Sequence, residues 1–320
     1  AEYLAGFSYF SAALFILFFT GLKDDLIGLS PRIKLVVEIL AALLIIFGCD
    51  LMIDNFYGVL GISNLSLPLA VLVSVFTIVV VMNAYNLIDG VDGLAGGIGA
   101  GASFFFAIGF WLAGFYAMSV LSVLTLVALL GYRSLNVHPA SIFMGDSGSL
   151  TVGLLLSFQA IQFISLGNEA AFTQHFSTAS AVVLPVGVLS IPLYDTIRVF
   201  IKRMVSGRSP FSPGRDHVHH ELLEIGFSQK WVAIILYLNT LVIGLLGWTI
   251  AEFMNVNIAL LTVITLSALL MPTAGLKRYL CRQFGLFDIE LYFAGKKVSS
   301  EKQKESSYRS VKEYESIAAE

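Results

Sequence analysis

An all-α polytopic integral membrane protein is the fold class this sequence predicts, and three observations carry it. Of 320 residues, 57% are hydrophobic and only 13% are charged, with a mean hydropathy of +0.83. A soluble core needs no such excess, so a soluble enzyme is excluded. Nine apolar stretches, 5–22, 35–49, 65–82, 94–112, 114–132, 149–166, 179–200, 231–250 and 256–271, each match the length a tilted membrane helix needs. The basic residues then segregate. If the connection 83–97 is internal, the internal connections hold all 19 Lys and Arg, while 50–64, 111–114, 167–177 and 251–255 hold only Asp50, Asp54, Glu169 and Glu252. That is the positive-inside pattern. Trp231 at the inner edge, with Trp111 and Trp248 at the outer edge, fits aromatic belts.

Three regions follow: a transmembrane domain over 1–273, an amphipathic interfacial segment over 274–295 and a solvated, disordered tail over 296–320, rich in Lys, Glu and Ser. Cys49 and Cys281 fall on opposite faces, which implies no disulfide. The chain starts with Ala at the edge of a span, without the charged and small-residue pattern of a signal peptide, so residues ahead of it are expected.

The first span ends in Lys23-Asp24-Asp25. Adjacent carboxylates repel, so the pair asks for a cation, either Lys23 or a metal such as magnesium, which prefers hard oxygen ligands. Ser30-Pro31 reads as the next helix start, placing Arg32 and Lys34 in a first turn where the helix dipole opposes them. An anionic partner, lipid headgroup or phosphate, would offset that. The connection 50–64 carries Gly58 and Gly61 and predicts a short external hairpin.

Residues 83–97, NAYNLIDGVDGLAGG, are the stretch around which the chain is organised. Asn83, Asn86, Asp89 and Asp92 recur every third residue and would form one polar stripe on a helix. A carboxylate at a membrane helix centre costs roughly 2.5 to 3.5 kcal/mol, less near its end, and is retained for a site. Gly90 and Gly93 would let a ligand approach the backbone. An ordinary Asn-Asp-Gly connection is the plainer alternative. The glycines at 96, 97, 99 and 101 predict close helix packing.

The next internal loop contributes Asn136, His138, Phe143 and Gly145-Asp146-Ser147-Gly148. As a tetrapeptide the last is a turn, but its place makes Asp146 another acid on the same face. Asp195 and Arg198, one helical turn apart, read as a mutual pair. The longest internal loop brings Arg208, Arg215, His217, His219 and His220 together. Zinc would want cysteines or a second histidine pair, so these donors suit phosphate oxygens better. Headgroup binding would explain the arginines but not the histidines.

Asp24-Asp25, the 83–94 segment, Phe143-Met-Gly-Asp-Ser-Gly-Ser and His217-Val-His-His resemble, in order, the polyprenyl-phosphate N-acetylhexosamine-1-phosphate transferase superfamily. The His-x-His-His form resembles the bacterial enzymes that start O-antigen, enterobacterial common antigen or teichoic-acid linkage units. The phospho-MurNAc-pentapeptide translocase, the alternative within the superfamily, typically carries three consecutive histidines, and Val218 interrupts them here. Members usually carry two further N-terminal helices and a Pro-and-Gly-rich loop ahead of the paired aspartates, which this sequence lacks, and some carry a third acid where Gly28 stands.

The resemblance implies transfer of N-acetylhexosamine 1-phosphate, most often GlcNAc 1-phosphate, from a UDP-sugar to undecaprenyl phosphate with release of UMP. The site would be a cleft facing the cytoplasm of the bacterial inner membrane. Mg²⁺, with Mn²⁺ as a substitute, would be held by Asp146 and Asn86. Asp24 and Asp25 would serve the acceptor end, and Asp89 and Asp92 would orient nucleotide and metal. Asn136 and Phe143 would contact uracil, while Lys34, Arg208, Arg215, His217, His219 and His220 would hold phosphates, with His217 among the catalytic groups. Membrane lipids are expected partners, a homodimer is left open, and no nucleic acid is expected. An ion-coupled transporter is the reading from another class. Against it, the acids gather at one mouth without repeated halves.

Overall fold

The computed structural model describes residues 2–210, 214 and 216–271. Arg215, Cys281 and the predicted interfacial segment and tail lie outside these residues. Twelve helices run in the order α1 (Glu2–Ile27), α2 (Pro31–Leu43), α3 (Leu67–Leu87), α4 (Leu94–Leu112), α5 (Tyr116–Asn136), α6 (Gly145–Ser165), α7 (Ala170–Thr173), α8 (Thr178–Val188), α9 (Ser190–Val205), α10 (Val218–Ile225), α11 (Gln229–Phe253) and α12 (Val256–Leu270). An antiparallel hairpin, β1 (Asn55–Val59) with β2 (Ile62–Asn64), fills the connection where one was expected.

All nine predicted stretches lie on helices. Five, α3, α4, α5, α6 and α11, are long and apolar enough to cross a membrane, and a bent α8–α9 pair would make six. The stretch 179–200 is therefore not one straight helix. It breaks at Leu189 with a bend of 67°. Proline explains the break, because Pro192 has no N–H for the Val188 carbonyl and Pro185 sits inside α8. The stretch 35–49 likewise starts as α2 and loosens into a π-turn over Leu44–Gly48.

α2 begins as its sequence predicts. The Ser30 hydroxyl accepts the Ile33 N–H at 3.4 Å and Pro31 occupies the first turn, where its missing N–H costs nothing. α4 is the central helix. Tyr132 of α5 lies over Gly96, Tyr237 of α11 over Gly97, and Tyr85 of α3 over Gly99. A methyl group at Gly99 would stand 2.6 Å from the Tyr85 hydroxyl, so the glycine row sets these helix distances. A second core joins α1, α2 and the π-turn to α3 and α6 through Leu17, Ala41, Ile45, Ile78 and Leu154. Phe15, Phe19, Leu72, Phe76, Leu124 and Leu245 remain exposed, as lipid-facing side chains do.

The polar stripe expected over 83–92 does not form. α3 ends at Leu87, leaving Asn83 and Asn86 on the helix and Asp89 and Asp92 on the turn that leads to α4. Gly93 closes that turn at φ +77°, a conformation that costs glycine little.

Candidate active site

Helix ends set the site. The first N–H groups of α6 have no partner within their own helix, and the carboxylate of Asp25, from the end of α1, takes two of them: Asp146 N–H at 2.8 Å and Ser147 N–H at 3.1 Å. Negative charge is favoured at that end of a helix. This approach requires Gly21, where a Cβ would fall 2.4 Å from Ser147 N. The side chain of Asp146 then faces Lys34, which also holds Asp24 Oδ2 at 3.2 Å. Asn86 Nδ2 donates to Asp146 Oδ1 at 2.9 Å and to Ser149 Oγ at 2.7 Å. Four segments, the ends of α1 and α3 and the starts of α2 and α6, thus meet around one ion cluster.

Beside it lies a cavity of about 310 Å³ lined by Asn86, Asp89, Gly90, Val91, Asp92, Asn136, Phe143, Gly145 and Asp146. Phe143 is 78% exposed, an unusual state for an aromatic ring at a cavity rim. Asn136 is nearly buried and already engaged, accepting Gly93 N–H at 2.7 Å and donating to the Ile142 carbonyl at 2.7 Å. Asp92 accepts from His138 Nδ1 at 2.8 Å and from Ala140 N–H at 3.2 Å, tying its turn to the α5–α6 loop. Burial first, then the charges of Asp146, Asp25 and Asp92, push the Asp89 carboxyl up to about 7. That residual repulsion marks a place where a cation is welcome.

The histidines back this cavity. His219 is buried, with its Nε2 so close to Gly90 that a Cβ there would stand 2.6 Å away. Its Nδ1 has no hydrogen-bond partner among the described residues. Burial, helped by His220, holds its ring down at about 4, so it is neutral at pH 7. His217 lies parallel to His219 at 5.8 Å, and His220 tilts against His219 at 4.3 Å.

Among the described residues Lys23 pairs with neither aspartate; Lys34 of α2 pairs with Asp24, while Asp25 is taken by the N–H groups of α6. Lys34, expected on a phosphate, is spent on Asp24 and Asp146. Arg208 joins Lys202 and Arg203 around Asp216 rather than the cavity lining. Burial would raise Asp216, but those three donors outweigh it and hold the carboxyl at about 2. The Asp195–Arg198 pair forms at 2.9 Å as expected. Sequence reasoning missed that Asp195 also binds His217, and it missed Glu38, a buried acid that accepts from Asn83. Glu38 was findable as an acid inside an apolar run, one turn after Lys34.

Residues 7–164 match the sequence profile of glycosyl transferase family 4. The chain belongs to glycosyl transferase family 4. Among its relatives in this family, a decaprenyl-phosphate N-acetylglucosaminephosphotransferase of Mycobacterium leprae is 35% identical over 230 residues, 68% of this chain and 58% of the relative. That of Mycobacterium tuberculosis is 34% identical over the same length, covering 57% of the relative. An undecaprenyl-phosphate alpha-N-acetylglucosaminyl 1-phosphate transferase of Escherichia coli is 27% identical over 258 residues, 78% of this chain and 67% of the relative. The chain thus spans less than two thirds of the length of the mycobacterial proteins.

A divalent cation is the group this family member's donors can be tested for. Among the described residues no three His, Cys, Asp or Glu side chains are grouped to hold a metal. Magnesium does not require that, since it is commonly held by one or two carboxylates together with substrate phosphates. Asp146, already facing an ammonium, fits such a role with Asn86, which spends only its Nδ2 on Asp146 and Ser149, and the crowded Asp89 adds nearby negative charge.

Proposed function

We propose that this family 4 protein transfers N-acetylhexosamine 1-phosphate, with GlcNAc 1-phosphate first among the candidates, from a UDP-sugar to undecaprenyl phosphate, releasing UMP. The observation that carries the reading is the joining of Asp24, Lys34, Asn86 and Asp146 into one cluster beside the Asp89–Asp92 cavity. Chemically, an acceptor phosphate oxygen forms a bond to the sugar-bearing phosphorus, and the bond from that phosphorus to the bridging oxygen breaks, its electrons leaving with UMP. The acceptor phosphate has a second pKa near about 6, so it is already nucleophilic at neutral pH.

The obstacle is repulsion between anions. Mg²⁺, or Mn²⁺ in its place, would be held by Asp146 and Asn86 and would supply charge neutralisation on the diphosphate. Lys34 sits ready to trade Asp146 for a phosphate oxygen. Phe143 offers a ring for uracil to stack on, with Asn136 keeping the loop beneath it in place. Asp24 and Asp25 serve the acceptor end, and Asp89 and Asp92 orient the nucleotide. The histidine segment adds imidazole nitrogens, and Arg208 adds positive charge, for phosphates. Direct attack is preferred to an aspartyl-phosphate route, and trapping a phosphorylated enzyme with UDP-sugar alone would reverse that preference.

In this reading all nine helical stretches span the bacterial cytoplasmic membrane, with the site facing the cytoplasm. The segregation of basic residues supports that orientation. The bent α8–α9 pair is also a transporter feature, but transporters carry matching broken helices in two halves, and one bent pair stands among the described residues. The test is UMP release by purified protein in lipid with Mg²⁺, polyprenyl phosphate and a panel of UDP-sugars. Release that requires both substrates supports the transferase. Proton- or ion-driven flux without UMP would replace it with the transporter.

A further inference from the structure

We propose that Asp195 is a positioning residue for the histidine segment, holding the Nδ1–H of His217 against its carboxylate so that Nε2 is the nitrogen left for the substrate. That nitrogen is a proton acceptor in the neutral ring and a donor to a phosphate oxygen once the ring is protonated. The inference rests on the transferase reading above. Asp195 is fully buried in the first turns of α9, just beyond the break at Leu189. An ion pair with Arg198 alone would not need the rest of what its carboxylate does. Oδ2 meets His217 Nδ1 at 2.8 Å, while Oδ1 takes Val218 N–H at 2.9 Å and Arg198 Nη2 at 2.9 Å.

Each contact has a consequence. A carboxylate accepts only, so the proton between it and His217 belongs to Nδ1, and Nε2 is left as the second nitrogen. The Val218 N–H is an orphan of the first turn of α10, whose N-cap His217 makes no side-chain cap of its own. One carboxylate therefore orients the ring and starts the helix that carries His219 and His220. Arg198 is held on its far side by Glu221 at 2.9 Å and by the Asp216 carbonyl at 2.8 Å, which keeps the carboxylate from turning. His217 then stacks parallel to His219, whose Nε2 abuts Gly90 between Asp89 and Asp92. The line Asp195, His217, His219, Gly90 joins the broken helix to the cavity.

The experiment uses the protein in lipid, labelled with ¹⁵N-histidine, and solid-state NMR at pH 8, with the His217 signals assigned by their loss in His217→Gln. The wild type is expected to show His217 protonated on Nδ1. In Asp195→Asn that population falls, and UMP release at saturating UDP-sugar drops about 10- to 100-fold, as when the partner of a ligating histidine is removed. The donor KM stays within roughly threefold, because the ring acts on the transition state more than on binding. Arg198→Lys, which keeps the aspartate, is expected to lower thermal stability and retain the Nδ1–H signal. An Nε2–H tautomer in the wild type, or an Asp195→Asn protein with unchanged tautomer and rate, overturns the assignment. If Asp195→Asn does not fold, the wild-type tautomer and the Arg198→Lys spectrum decide: loss of the Nδ1–H signal in Arg198→Lys also overturns it. A wild type that releases no UMP sinks the transferase reading itself, whatever the tautomer, whereas an active wild type with an indifferent Asp195→Asn sinks only the role of Asp195.

Discussion

The carboxylate of Asp25 accepts the backbone N–H of Asp146 at 2.8 Å across a sequence separation of 121 residues. An acid read as catalytic is thus also the cap of the helix that presents the metal candidate. Loss of a capping side chain costs about 0.5 to 2 kcal/mol. Asp25→Ala should therefore lower the thermal midpoint as well as activity, and Asp25→Asn, which keeps an acceptor, should lower it less. Thermal unfolding in detergent or nanodiscs reads this. An Asp25→Ala protein as stable as the wild type would show that the cap contributes nothing.

Asp89 makes stability depend on pH. Its folded carboxyl, pushed up to about 7, keeps a proton that the unfolded chain releases near its ordinary value, so the folded state binds more protons between about pH 4 and 7. Stability from this group is fully present at the acid end of that window and is gone once pH has risen through 7. Without divalent cations, the thermal midpoint should fall from pH 5 to pH 7.5, and Asp89→Asn should flatten that fall. A slope that is the same in both proteins would assign the effect to other groups.

Gly90 is the contact between the histidine helix and the aspartate turn. A methyl group there would meet the buried His219 ring at 2.6 Å, an overpacking that costs about 1 to 3 kcal/mol. Gly90→Ala should destabilise the protein and reduce UMP release, whereas Gly131→Ala, in open space on α5, should be neutral or slightly stabilising. Equal midpoints for the two variants would mean that His219 can move aside.

Much of this arrangement was legible in the sequence because composition and spacing act locally. The Ser30-Pro31 helix start, the hairpin and the Asp195–Arg198 pair each depend on neighbours a few residues away. The glycine row of α4 reads as a close-packing face from its own spacing, although its partners Tyr85, Tyr132 and Tyr237 come from other helices. The gathering of the acids at one end could be read from their places at span boundaries. What could not be read depends on helix packing. Lys34 finds Asp24 ten residues back and Asp146 112 residues on, and no local pattern chooses these over a phosphate. The stripe over 83–92 failed because Ile88–Gly93 turns, a choice made by the Gly93 conformation and by Asn136 holding its N–H. The break at Leu189 was hidden because hydropathy does not register the lost hydrogen bond at Pro192.

The account turns on Lys34 joining segments that are far apart in the chain, and zero-length carbodiimide coupling of the protein in lipid tests this directly. An ammonium held against a carboxylate is converted to an amide, which mass spectrometry of the digested protein locates. Peptides linking Lys34 to Asp146 or Asp24 are predicted, and they should disappear in Lys34→Met. Coupling of Lys34 to neither aspartate, in protein that couples Lys202 to Glu221 or Asp216, would contradict the site.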